Sequence, residues 1–77
     1  MIKSGNVCEI GSEILRFWEF NEINQEWGEG YEYFKGTKFL VLKLLENTEG
    51  EIVKILIDGN IRYFYFDDMR GIKCLNE

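Results

Sequence analysis

Residues 37–66 read TKFLVLKLLENTEGEIVKILIDGNIRYFYF, and the fold class rests on them. Three apolar runs, 37–45, 51–57 and 61–66, are parted by Glu46-Asn47-Thr48-Glu49-Gly50 and by Asp58-Gly59-Asn60. Their β-branched and aromatic side chains suit a pleated, half-buried surface, and turn residues between such runs mark reversals. The expectation is a three-stranded antiparallel meander. Strict alternation puts Leu40, Leu42 and Leu44 on one face of its first strand and Phe39, Val41 and Lys43 on the other. Apolar residues on both faces predict a strand that lies centrally or is sheltered by another segment. The second strand sets Val53, Ile55 and Ile57 opposite Ile52, Lys54 and Leu56. Asp58-Gly59 is the strongest two-residue hairpin signal, because a type I′ turn needs positive φ. That turn, or a two-residue turn at Gly59-Asn60, places Arg62, Phe64 and Phe66 on the face of Val53, Ile55 and Ile57, and sends Tyr63 and Tyr65 outward with Lys54. A three-residue loop reverses the parity. The first register is preferred, since an outward tyrosine keeps its hydroxyl wet and an arginine near a strand end can snorkel.

Upstream, Asn6–Ile10 (NVCEI) is a short strand stopped by Gly11-Ser12. Ile14–Phe20 (ILRFWEF) reads as a strand on its aromatic content, although a Ser12 cap and the spacing of Ile14 and Trp18 also fit a helix. Asn21–Gly30 (NEINQEWGEG) is a polar loop holding a lone tryptophan, and Tyr31–Lys35 returns as a strand. Residues 14–35 thus form a long, irregular, acidic hairpin. Downstream, residues 67–70 suit a 3₁₀ turn with Met69 as an apolar plug, and 72–75 a last short strand. Residues 1–77 form a single all-β domain of five to six strands.

A chain of 77 residues lies near the size at which a core barely stabilises itself. Truncating Val41 or Ile55 to alanine is therefore expected to unfold much of the population. There is no apolar run of membrane-spanning length and no signal-peptide core, so a cytoplasmic protein is expected. Cys8 and Cys74 stand near opposite ends, which terminal strands can bring together. Both a disulfide and a reduced, buried pair remain open, with the reduced pair favoured in a chain lacking a secretion signal. Two cysteines, no histidine and no C-x-x-C give no zinc set, and no cofactor is expected.

The net charge of −5 is uneven. Residues 1–35 hold Lys3, Arg16 and Lys35 against seven glutamates, a net of −4, and residues 36–77 hold six cations against seven acids, a net of −1. Counterion release from a nucleic-acid backbone needs the opposite sign, so direct nucleic-acid binding is not expected.

The order of a short strand, long hairpin, meander, 3₁₀ turn and closing strand resembles the SH3-like β-barrel. The residues that carry the likeness are Phe34–Leu42 (FKGTKFLVL) at the second barrel strand, Asp58-Gly59 at the distal turn, Asp67-Asp68-Met69 at the 3₁₀ turn and Ile72–Leu75 at the last strand. Size and the D-G-x-I-x-x-F-x-x-D-D-M run also look like the small stand-alone SH3-like proteins encoded by phages and mobile elements. The polyproline groove of SH3 domains needs a tryptophan opening the third strand and a proline and tyrosine at the 3₁₀ turn. Here Glu51-Ile52 and Asp67-Asp68-Met69 stand there, so polyproline binding does not follow.

Catalysis has no histidine base and no serine in a nucleophile-elbow setting, and Gly28-Glu29-Gly30 is a loop tip flanked by carboxylates rather than a phosphate cradle. The chain is not expected to be an enzyme. The leading site is an acidic-aromatic lobe of Glu19, Glu22, Glu26, Trp27, Glu29, Tyr31, Glu32 and Tyr33, suited to a partner protein with a basic surface. The alternative is that Trp27 folds back to plug one end of the barrel. A second patch, Lys54, Arg62, Tyr63 and Tyr65, sets tyrosine faces beside cations, as small barrels that stack nucleotides do; ordinary cross-strand packing is its plainer reading. A third role is a structural or assembly subunit, a homo-oligomer pairing through strand edges.

Overall fold

In the computed structural model, which describes residues 2–75, residues 37–66 form the expected meander: β4 (Lys38–Asn47), β5 (Gly50–Ile57) and β6 (Asn60–Tyr65). The β5–β6 reversal uses Asp58-Gly59 alone, both at positive φ (50° and 77°), and pairs Ile57 with Asn60, Ile55 with Arg62 and Val53 with Phe64. This is the two-residue register. Phe64 joins the inner face, and Tyr63 and Lys54 stand opposite each other on the outer one.

Around the meander lie β1 (Val7–Ile10), β2 (Ile14–Asn21), β3 (Glu26–Phe34), a 3₁₀ turn at Phe66–Asp68 and β7 (Ile72–Cys74). Among the described residues all strands belong to one antiparallel sheet in the order β3-β2-β6-β5-β4-β1-β7. The count is seven rather than five to six. The sheet is strongly curled. Phe17 of β2 lies 5.5 Å from Phe39 of β4, although β6 and β5 separate those strands in the sheet. The inner face thereby closes over one core of Cys8, Ile10, Phe17, Phe39, Val41, Val53, Ile55, Ile57 and Phe64, with Ile2. Met69 packs against this core as the expected plug. The 3₁₀ turn sits one residue earlier than its acidic run suggested.

Two expectations are corrected. In β4 the register shifts between Val41 and Lys43, leaving Leu42 as an extra residue. A β-bulge of this kind breaks the two-residue alternation. Leu44 therefore turns inward with Phe39 and Val41, while Leu40 and Leu42 do not share its face. The second correction concerns 21–30, which is not a loop. β2 runs to Asn21 and β3 starts at Glu26, so the connection is only residues 22–25.

Cys8 and Cys74 are directly paired across β1 and β7. Their sulfur atoms are 3.3 Å apart as thiols, with no disulfide. Among the described residues no helix is long and apolar enough to cross a membrane.

Candidate functional site

The tip of the β2–β3 hairpin is built by Asn21. Its side-chain oxygen accepts the backbone N–H groups of Ile23 and Asn24, and its carbonyl accepts that of Gln25, which takes positive φ. An asparagine side chain that bonds the backbone two residues on mimics a backbone turn. Just behind the tip the ladder is irregular. Trp18 pairs with Gly30 and Phe20 with Trp27, so Gly28 and Glu29 lie opposite Glu19 alone. Gly28-Glu29-Gly30 is thus a bulge within β3 and not a loop tip. A Cβ at Gly30 would come within 2.6 Å of Trp18 Nε1, so the missing side chain lets the Trp18 indole lie against β3.

The hairpin tip folds over the outer face of the meander and makes a second apolar cluster. Phe20, Ile52 and Tyr63 are its buried members, with Trp27, Leu45 and Tyr65 packed around them. Trp27 is half-buried, 4.6 Å from the Phe20 ring and 5.0 Å from the Tyr65 ring, with Trp18 at 6.3 Å nearly perpendicular to it. Its Nε1 donates to the Tyr65 hydroxyl at 3.1 Å, and that hydroxyl donates to Glu49 at 2.8 Å. The Glu49 bond raises the Tyr65 pKa by favouring the protonated phenol. Trp18, Trp27, Gly28, Tyr65 and Asp68 line an open, mostly apolar cleft of about 300 Å³. Adjoining hollows bring Glu19 and Glu26 to the Trp27 side and Glu49 and Asp67 to the Tyr65 side. Arg16 and Arg70 line a further hollow together with Trp18 and Asp68.

The expected acidic-aromatic lobe is divided. Glu19, Glu26 and Trp27 meet at the cleft. Glu29 is exposed on the β3 bulge. Glu32 forms an exposed ion pair with Arg16 at 2.9 Å. Tyr31 donates to Glu19 at 3.0 Å, a bond that raises the Tyr31 pKa. Tyr33 packs on the main core 5.8 Å from Phe17. Glu22 turns inward, taking Lys54 Nζ at 2.7 Å and the Tyr63 hydroxyl at 2.5 Å. Those bonds, Lys54 first and then Tyr63, hold its carboxyl below the usual carboxylate range.

Of the second patch, Lys54 and Tyr63 come together, with Lys54 Nζ 5.9 Å from the Tyr63 ring centre and both bonded to Glu22, whereas Arg62 and Tyr65 lie apart from them. Arg62 faces the other way, its guanidinium 3.9 Å from the Tyr31 ring centre and its Nε donating to Tyr33 at 3.1 Å. Tyr63 is only 6% exposed beneath Phe20, and burial, then the Glu22 bond, pushes its pKa up. Tyr65 alone of the four lines the aromatic cleft.

Trp18, Glu49 and Asp68 belong to this region without having been singled out by sequence. Alternation in 14–20 does put Trp18 on the face away from Leu15 and Phe17, which was the available signal. Glu49 and Asp68 carried none, because the contacts that place them are distant in sequence. Among the described residues no three Cys, Asp or Glu side chains are grouped to hold a metal ion. Comparison with protein-family models, with curated proteins and with solved structures finds no match.

Proposed function

We propose that this chain is a non-catalytic protein-interaction module on a variant of the SH3-like barrel, and that its acidic hairpin occupies a basic surface of a larger protein. The observation that carries the reading is the cleft beside the hairpin tip. It offers half-buried tryptophan and tyrosine faces to solvent, with exposed carboxylates of Glu19, Glu26, Asp67 and Asp68 around it. Aromatic anchors ringed by charge are the usual make-up of a binding centre. The barrel assignment is supported by three features: β1 lies between β4 and β7, a 3₁₀ turn precedes β7, and the sheet closes on one core. If the likeness to phage and mobile-element proteins holds, the natural role is inhibition of a host nucleic-acid-handling or defence protein. A compact acidic surface there competes with phosphates for the same cations.

The test reverses charges that bear no structural duty. The side chains of Glu26 and Glu29 are exposed and make no ion pair among the described residues. Glu26→Lys with Glu29→Lys should leave the melting temperature within about 2 °C, since free surface sites change stability little. The same variant should lose the basic proteins that the wild-type chain captures from a bacterial lysate, identified by mass spectrometry. An unchanged set of captured proteins would dismiss the reading.

A structural or assembly role has one observation of its own. Ile14 and Phe34, paired across β2 and the edge strand β3, are 48% and 60% exposed. Light scattering separates a self-associating chain from a monomer.

A further inference from the structure

We propose that the cleft between Trp18, Trp27 and Tyr65 receives one arginine side chain of a protein partner, with Asp68 pairing to its guanidinium. This rests on the reading of the chain as a binder of basic proteins, and it names the group that the site selects.

Two of the cleft's polar groups are already engaged. Trp27 Nε1 is given to Tyr65, and the Tyr65 hydroxyl is given to Glu49. What remains on offer is aromatic surface, set at a corner by two indoles 82° apart. Such surface attracts a cation through the ring quadrupole. Charge agrees with this. Asp68 lies at the cleft exposed, bordering also the hollow of Arg16 and Arg70, and its carboxylate has no ion pair among the described residues. A volume of about 300 Å³ stands at the small end of ligand clefts, the scale of one long side chain rather than a folded segment.

Arginine fits better than lysine on two grounds. A planar guanidinium can lie on an indole while its forked N–H groups reach a carboxylate, and it is more weakly hydrated than an ammonium. The protein itself stacks an arginine on an aromatic ring, where Arg62 lies over Tyr31 and donates to the Tyr33 hydroxyl. Gly30 sustains the cleft by leaving room for the Trp18 indole.

The chain has two tryptophans, and both line the cleft, so the two indole N–H resonances report on it directly. The full chain is titrated with the blocked tripeptide Gly-Arg-Gly and with its lysine and citrulline counterparts. Citrulline keeps the shape of arginine and removes its charge. The arginine peptide should shift both indole signals saturably, at least threefold more tightly than the lysine peptide, with the citrulline peptide inert. Asp68→Asn should weaken the arginine peptide about tenfold, the scale of a lost charge-assisted bond, at an unchanged melting temperature. Shifts that fail to saturate, that citrulline reproduces, or that lysine matches would each overturn the assignment. Silent indoles in a chain that still captures basic proteins through Glu26 and Glu29 would remove the arginine cleft and leave the broader reading standing. Saturable arginine binding with no captured protein would do the reverse.

Discussion

Glu22 shows how a surface carboxylate becomes a structural one. Lys43 and Lys54 are paired across β4 and β5, and like charges in that position repel. Glu22 reaches them from the hairpin tip, taking Lys54 and the hydroxyl of Tyr63. Its carboxyl is held below the ordinary range, so its contribution is present above the unfolded carboxylate value of about 4.3. That contribution is lost as pH falls through the lower, folded value. Glu22→Gln should therefore cost about 1 kcal/mol at pH 7, or roughly 4–8 °C in melting temperature. The gap between wild type and variant should narrow as melts are taken from pH 5 down to pH 2.5. Parallel curves across that range would show that the Lys54 and Tyr63 bonds do not support the fold. Nothing in the sequence marks Glu22 among the seven glutamates of its segment. Its partner Tyr63 is 41 positions away, and the contact exists only once the hairpin has folded across the sheet. Trp27 was legible as a residue without a place in any period, which left both exposure and plugging open. It is half-buried, touching the second cluster with one face and the cleft with another.

Elements were legible where local chemistry sets them. The Asp58-Gly59 turn fixes the β5–β6 register through backbone conformation, and it agrees with the face parity preferred from sequence, which does not by itself separate this turn from one at Gly59-Asn60. The bulge at Leu42 was hidden, because TKFLVLKLL contains no glycine or proline to mark an extra residue, and leucines on both faces mask the change of parity. The 22–25 connection was hidden for a related reason: Gly28 and Gly30 look like loop residues but serve a bulge and an indole. β7 is the most remote pairing in sequence, three residues lying along β1. Hydrogen bonds from Leu75 to Val7 and from Gly11 to Gly71 flank the pair Cys8–Cys74, which therefore occupies a non-hydrogen-bonded position. Facing Cα atoms there are about 4.5 Å apart, within the span of a disulfide. Treatment with diamide should remove two hydrogens from the mass and protect both thiols from alkylation. The linkage closes a loop between residues 66 positions apart, which in the chain-entropy picture adds up to about 4 kcal/mol. A melting temperature that rises only in wild type, and not in Cys74→Ser, is the expected readout. Two thiols still open to alkylation after diamide would end the idea.

At the scale of the whole molecule, one curled sheet carries two apolar clusters, the larger inside it and the smaller beneath the hairpin. The all-β class followed from the composition of 37–66. The second cluster did not, since it depends on how far the hairpin leans over the meander. The larger core is the vulnerable part. Ile55 is wholly buried on the central strand β5, and truncation there costs about 2–5 kcal/mol in a domain whose total is on the order of 4–11 kcal/mol. Ile55→Ala should lower the melting temperature by at least about 10 °C, measured by circular dichroism. A loss under 3 °C would mean that the core is far less tightly packed than the contacts of Phe17, Phe39 and Phe64 imply. The adjacency of β1 and β7 has one more consequence. Because the first and last strands run side by side, with Leu75 bonded to Val7, a short linker can join them and the backbone can be reopened between the exposed residues Asp58 and Gly59. A circular permutant of this kind keeps every side chain of the cleft.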